Sequence, residues 1–434
     1  MKISVLGVWH QGAVAAACLA DMGFEVVGAD EDAARVADLS KGRAPLFEPG
    51  LDALLEEGVA CGRLTFTTDM AAAVQNAPFV FVAFDTPVNE NDESDLSGIF
   101  ATFERIAPVV AEGAVIFVTA QVPVGTCDQL ISIINTTKPN RHVSIAYSPE
   151  NLRLGQAIER YRTPPLPVIG CDDKATFDRL MEVMRPMAVK WEHVTLRTAE
   201  MVKHALNAFL AVSICFANEL GNICDEVGAD GKRVGEVLRI EPRIGAKAML
   251  LPGLGFSGGT LARDIQTMRG LGRKYGIDTP LLNGTWQSNG EQNRLVLRKL
   301  SRALKDLRGA HVAVLGVTYK PDTSTLRRSA ALEVIADLIA AGAEVRAHDP
   351  KVDIGELKRS SQCTYCDSPL GAMEAADAVV LMTPWKDYKA IDFKAAKAAM
   401  AGTYVLDTAG LWDPEQVVAA GLQFDDIGRG RRKA

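Results

Sequence analysis

The sequence predicts an α/β protein: two Rossmann-like, doubly wound parallel-sheet domains joined by a central helical domain with a long helix. Three observations carry that expectation. Residues 3–8 read ISVLGV and residues 312–317 read VAVLGV, each a short β-rich run that reaches a glycine and gives way to a helix-like stretch. Each is followed by a second β-rich run that starts after a glycine, Gly23 or Gly342, and ends in an acid: residues 24–30 (FEVVGAD) and 343–349 (AEVRAHD). Strand, helix and strand in that order make a βαβ unit, and a second copy about 300 residues later opens a second parallel sheet. Between them, residues 198–227 keep helical periodicity with no strong breaker before Gly221, which reads as a long, largely buried helix. Further helices are expected to about Leu307. The domains are therefore expected at 1–196, 197–307 and 308–434, with the central helix also suited to holding a homodimer together.

Composition fits this architecture. Of 434 residues, 48% are hydrophobic and 23% charged, enough for several cores and unlike a disordered chain. A net charge of -7 argues against nucleic acid or an anionic membrane as partner, although local Arg and Lys can still hold an anionic small ligand. No apolar run is expected to span a membrane, since the richest, residues 205–224, is interrupted by Asn207, Asn218 and Glu219. At the N-terminus, Gly7, His10, Gln11 and Gly12 break what would otherwise resemble a signal peptide, so a cytoplasmic location is expected. The eight cysteines are scattered, and only Cys363 and Cys366 form a C-x-x-C pair, with no further zinc ligands at matching spacing. Reduced, mostly buried thiols are expected, with that pair on a surface loop and no metal site.

The first glycine turn, residues 7–12 (GVWHQG), sits where a dinucleotide fingerprint has G-x-G-x-x-G. Gly7 and Gly12 are in place; Trp9 occupies the second glycine position, where close approach of a pyrophosphate calls for a shifted turn or cofactor. Asp30 follows Gly12 at about the spacing expected for a ribose-binding acid and favours NAD over its 2′-phosphorylated form; no arginine follows it immediately. This turn also fits a Rossmann-like domain that has lost its cofactor.

Further motifs carry a resemblance over nearly the whole chain. They are residues 46–51 (LFEPGL), Thr86-Pro87 after a strand, 121–126 (QVPVGT), 148–153 (SPENLR) and 200–207 (EMVKHALN). They continue with 243–245 (RIG), 252–264 (PGLGFSGGTLARD), 319–329 (YKPDTSTLRRS) and 425–430 (DDIGRG). In this order and spacing the chain resembles the UDP-glucose/GDP-mannose dehydrogenase family. The resemblance implies oxidation of the C6 hydroxymethyl of a nucleotide sugar to a carboxylate with two NAD, the N-terminal domain holding NAD and the C-terminal domain the nucleotide. It implies a UDP-sugar as substrate. It places Gly7, Trp9, Gly12, Asp30, Thr86, Pro87, Thr126 and Arg327 at the cofactor. It places Glu150, Lys203, Asn207, Arg243, Phe256, Gly258 and Lys320 at the substrate, Arg243 from a partner subunit.

Removing a hydride from C6 leaves a proton to be accepted and an oxyanion to be stabilised. Lys203 and Asn207, four residues apart, share one helix face. The resemblance puts both at the sugar beside Asp264, so a buried lysine, or a water held by Lys203 and Asp264, is the expected base. Thr126 and Glu150 would surround the reacting carbon and its water. The resemblance puts a cysteine nucleophile for the second oxidation at position 260, where this chain has Thr260, and a lysine at Arg263. Leu154 stands where the family has a second acid, and residues 407–410 (DTAG) stand for D-G-R-N, so Ala409 replaces an arginine that contacts the nucleotide. The leading expectation is a 6-dehydrogenase that still reaches the acid, through a hydrated aldehyde with Glu150 as base; the alternatives are a single two-electron oxidation that stops at the aldehyde or acts on another ring carbon, and a non-catalytic nucleotide-sugar-binding protein. The coexistence of Lys203, Asn207, Asp264 and Asp30 favours an enzyme.

Overall fold

A computed structural model describes the chain apart from residues 88, 90–93, 140–141, 151, 258 and 430–434. It divides into two compact units, Met1–Leu206 and Asn207–Ala434. The first holds an eight-stranded sheet: β1 (Lys2–Leu6), β2 (Glu25–Ala29), β3 (Leu64–Thr67), β4 (Phe79–Val82), β5 (Val115–Val118), β6 (Ser144–Tyr147), β7 (Val168–Gly170) and β8 (Glu192–Val194). The strand order is β3-β2-β1-β4-β5-β6-β7-β8, parallel except where β7 pairs with β6. β4 (FVFV) and β5 (VIFV) are continuous apolar runs because helices cover both faces of the sheet. The first helix, His10–Asp21, is buried from Gly12 to Ala20; its alanines let it lie close against the strands.

The second unit holds a six-stranded parallel sheet: β9 (His311–Leu315), β10 (Glu344–His348), β11 (Thr364–Tyr365), β12 (Ala378–Leu381), β13 (Tyr404–Asp407) and β14 (Gln423–Asp426). Its order is β11-β10-β9-β12-β13-β14. Counted from its own first strand, each sheet runs 3-2-1-4-5-6, the order of dinucleotide-binding sheets. The crevice at each switch point, β1/β4 and β9/β12, lies at the carboxyl ends of strands, where such folds hold ligands. The internal echo in the sequence is therefore a repeat of topology.

The long helix spans Leu196–Val227, 32 residues. By length and composition alone it is apolar enough to cross a membrane, with a mean hydropathy of 1.3 over its richest window, which corrects the expectation that no segment would be. Asn207, Asn218 and Glu219 do not break it, because an α-helix satisfies its own backbone hydrogen bonds. Glu200, Lys203, His204, Asn207, Asn218 and Asp225 are all buried along it. Four more helices of the middle region follow: Gly231–Leu238, Gly259–Tyr275, Pro280–Gln292 and Arg294–Leu304.

Five of the eight cysteines are buried. Cys363 and Cys366 flank the edge strand β11 and are half-buried, so they bracket a strand where a surface loop was expected. Among the described residues no group of His, Cys, Asp and Glu is arranged to hold a metal ion.

Candidate active site

The glycine turn leads out of β1 into the first helix. Gly7 has φ +81°, and a Cβ there would meet the Phe84 ring at 2.6 Å; a Cβ on Gly12 would lie 1.8 Å from the Gly7 carbonyl oxygen. Both positions therefore require glycine, one for its conformation and both for space. Trp9 is the residue that enters the helix and is 38% exposed. Its indole lies outside the turn, 4.9 Å beneath the Arg35 guanidinium. The tryptophan is thus accommodated without closing the Gly7–Gly12 contact.

Asp30 sits just past the end of β2 and is nearly buried. Its Oδ2 accepts from the Val8 amide (2.9 Å), and its Oδ1 accepts from the Asp32 amide (3.1 Å) and Arg35 Nη1 (2.7 Å). Arg35, five residues on, was not singled out in the sequence because only the turn between strand and helix brings it back. Three donors on a carboxylate with about four acceptor positions leave room for a hydroxyl. Gly7, Trp9, Asp30, Arg35 and Pro87 line a cleft of about 590 Å³ at the carboxyl edge of the sheet. Thr86 is buried, its hydroxyl donating to the Gln121 carbonyl (2.8 Å). Two close-packed glycines, an acid at the strand end and an open cleft fit a dinucleotide.

The same position in the second unit is closed. Asp349, after β10, accepts through Oδ2 from the Val317 and Thr318 amides, the Thr318 hydroxyl and Trp385 Nε1, all within 3.0 Å. Its Oδ1 takes the Lys351 and Val352 amides (2.9 and 3.1 Å).

The reacting-group candidates of the first unit are organised by the long helix. Glu200, fully buried, accepts from the Gly125 amide (2.6 Å) and the Cys127 amide (2.9 Å), and His204 Nε2 bonds the Val122 carbonyl (3.0 Å). This pins the start of the helix Thr126–Thr137, where the Thr126 hydroxyl donates to the Pro123 carbonyl (2.6 Å). On the same helix Lys203 donates from Nζ to the Glu150 carbonyl (2.5 Å). Glu150 Oε1 accepts from the Leu152 amide. Burial raises the Glu150 carboxyl above the ordinary glutamate range, opposed by the nearby Lys203 ammonium and the Leu152 amide. Glu48, from the LFEPGL motif, accepts from the Gly155 and Ala157 amides (2.9 and 2.8 Å) and from His10 (3.2 Å), fastening the segment after Glu150 to the glycine turn. Leu154 is exposed.

In the second unit Asn207 Nδ2 donates to Asp264 Oδ2 (2.5 Å), with both residues buried. Thr260 is exposed in the first turn of the helix Gly259–Tyr275. Phe256 is fixed by two backbone bonds to the Asn289 side chain (2.7 and 3.1 Å), and Asn218 and Gln292 clamp Gly253. Gly258 lies outside the described residues. Arg243 is exposed and bonded only locally, to Glu241 (2.8 Å). Lys320, 5.7 Å from the Tyr319 ring centroid, and Arg327 are exposed in the loop after β9. That loop, with Thr318, Thr383, Thr408 and Ala409, opens on a pocket of about 200 Å³ at the β9/β12 edge.

Two doubly wound sheets, one with an open dinucleotide cleft, have the architecture of a two-domain dehydrogenase. Comparison with known proteins specifies which. Residues 1–188 match the NAD binding domain of the UDP-glucose/GDP-mannose dehydrogenase family, 197–291 its central domain and 313–414 its UDP binding domain. The UDP-glucose 6-dehydrogenase of Rhizobium meliloti (strain 1021) is 36% identical over 436 residues, covering 99% of this chain and 100% of that protein. That of Pseudomonas aeruginosa is 32% identical over 445 residues, with 99% and 98% covered. Among solved structures, a UDP-glucose dehydrogenase from Pyrobaculum islandicum is 30% identical with a TM-score of 0.83, covering 96% of this chain and 95% of that one. The chain belongs to the UDP-glucose/GDP-mannose dehydrogenase family.

Proposed function

We propose that this chain oxidises the C6 alcohol of UDP-glucose, or of a closely related UDP-sugar, towards the uronate. The observation that carries the proposal is the coexistence of an open dinucleotide cleft around Asp30 with two buried polar pairs borne by one helix, Lys203 with the Glu150 backbone and Asn207 with Asp264. NAD, when bound, supplies the hydride acceptor. Gly7, Gly12, Asp30, Thr86, Pro87 and Arg327 are assigned to hold it, with Trp9 and Arg35 forming the outer rim. On the family resemblance, Lys203 and Asn207 orient the C6 hydroxyl and stabilise the oxygen as its proton leaves to a water. Thr126 and Glu150 face the reacting carbon; Phe256, Gly258 and Lys320 are assigned to the sugar and its phosphates.

The second oxidation takes a course that does not use a thiolate, because position 260 is threonine and a threonine hydroxyl stays protonated without a dedicated base. In the proposed route the aldehyde adds water, and its gem-diol loses a hydride from C6 and a proton to Glu150. Glu150 is suited to this because its raised carboxyl, once ionised, is a stronger base than an ordinary glutamate.

Product stoichiometry tests the reading. With UDP-glucose and excess NAD, two NADH per sugar and a uronic acid by mass spectrometry are expected. One NADH with an aldehyde or keto sugar would replace the reading with a single oxidation. Binding without turnover across a panel of nucleotide sugars would replace it with a binding protein.

The three-part division at 1–196, 197–307 and 308–434 goes with this proposal, as does a cytoplasmic homodimer. Phe209, Phe216 and Ile223, seven residues apart along the long helix, are each more than half exposed, an apolar stripe suited to burial against a second copy. The exposed Arg243 agrees with a side chain offered to that copy's substrate. Light scattering is expected to give about twice the 46.6 kDa chain mass. Phe209→Glu with Phe216→Glu should bring it to the monomer, since burying each charge would cost on the order of several kcal/mol. A monomeric wild type would end the dimer proposal.

A further inference from the structure

The structure assigns a phosphate-binding role to Lys232: we propose that its ammonium, held against Gly410 beside the β9/β12 pocket, is a cation of the nucleotide diphosphate site. This rests on the reading of the second unit as a UDP-sugar site. Three hydroxyls of the pocket wall already donate elsewhere. Thr383 Oγ1 donates to the Thr318 carbonyl (2.6 Å), Ser329 Oγ to the Val317 carbonyl (2.7 Å) and Thr408 Oγ1 to the Leu381 carbonyl (2.7 Å). Charge-assisted bonds from cations are the strong contacts a diphosphate can make. The loop after β13 brings none of its own, because Ala409 and Gly410 follow Thr408.

That loop is folded around Asp407. Its Oδ1 accepts from the Ala409 and Gly410 amides (2.9 and 2.7 Å) and its Oδ2 from the Trp412 amide (2.8 Å), so the carboxylate is spent on the turn. Gly410 has φ +70°, and a Cβ there would lie 2.5 Å from Lys232 Nζ. The ammonium therefore fills the space that a side chain at 410 would take, next to Ala409 in the pocket wall. Lys232 reaches this point from the first turn of the helix Gly231–Leu238 and is neither buried nor fully solvated, its side chain being 21% exposed. Asp426, at the end of β14, steadies it at 3.4 Å but also takes Arg429 Nε at 3.0 Å. The adjacent Asp425 is engaged by Lys299 (3.0 Å) and the Tyr404 hydroxyl (2.6 Å). Asp426 is shared between Lys232 and Arg429, and at 3.4 Å the Lys232 contact is the looser of the two, which leaves the ammonium able to turn to an anionic ligand.

The test compares UDP with uridine, by titration calorimetry and ligand-observed NMR on the full chain. Lys232→Met should weaken UDP binding by about tenfold or more, while Lys232→Arg keeps most of it and uridine binds all three proteins alike. Gly410→Ala, which keeps the charge but pushes the ammonium aside, should show the same UDP-selective loss. Unchanged UDP affinity in Lys232→Met and Gly410→Ala would overturn the assignment. So would a parallel loss for uridine, which would mark Lys232 as a structural strut. A wild-type chain that binds neither ligand would remove the reading of the second unit and the assignment together.

Discussion

Asp264→Asn is expected to slow the first hydride transfer by on the order of 10³-fold while the protein still folds and binds UDP. The carboxylate is fully buried and accepts from Asn207 Nδ2 at 2.5 Å. An asparagine can turn its amide oxygen to that donor, so the local bond and the packing survive. What it lacks is the negative charge that, on the proposed reading, holds the proton-accepting water. Single-turnover NADH formation measured against the wild type decides the matter. A mutant with the full wild-type rate would sink the role given to Asp264.

Thr260→Cys together with Arg263→Lys is the second large effect, in the opposite direction. Thr260 lies exposed in the first turn of a 17-residue helix. A thiol placed there gains from the positive end of the helix dipole, which lowers a cysteine pKa and raises its thiolate fraction. The lysine restores a side chain that can release a proton, as arginine cannot. The step from aldehyde to acid should accelerate by roughly tenfold or more. It is read as the rate of the second NADH in a biphasic progress curve, with the acid confirmed by mass. No gain would mean that the surroundings, with Leu154 for an acid and Trp9 for a glycine, have been rebuilt around a different course.

The fold was readable because a βαβ unit leaves a local imprint. Two glycine-terminated strands and two acids, Asp30 and Asp349, marked both sheets, and the strand orders repeat. The antiparallel turn at β7 left no such imprint, since a three-residue strand carries no period. At the candidate site, spacing set Lys203 and Asn207 on one helix face and the family motif supplied Asp264, which the structure pairs with Asn207. The long-range bonds that fasten the segments around Thr126 and after Glu150 were not legible in the sequence. Glu200 bonds amides 73 and 75 residues away, and Glu48 bonds amides more than 100 residues away. Arg35 and Lys232 are ordinary surface-type residues in sequence and become specific only through what the fold sets beside them, an indole in one case and a bare glycine in the other. The polar side chains that interrupt the apolar run of the long helix, Asn207, Asn218 and Glu219, are its connections to other segments.

The contrast between the two strand-end acids sets a limit on traffic. Asp349 is saturated by six protein donors, so it offers no acceptor to the ribose of a second cofactor, whereas Asp30 keeps one acceptor position open. On the proposed reading a four-electron oxidation must then be served through a single cleft that empties and refills midway. With no thiol to tether the half-oxidised sugar, its dwell time must outlast that exchange. Nucleotide affinity thereby becomes a timing device, and weakening it should divert product from acid to released aldehyde before it slows the first turnover.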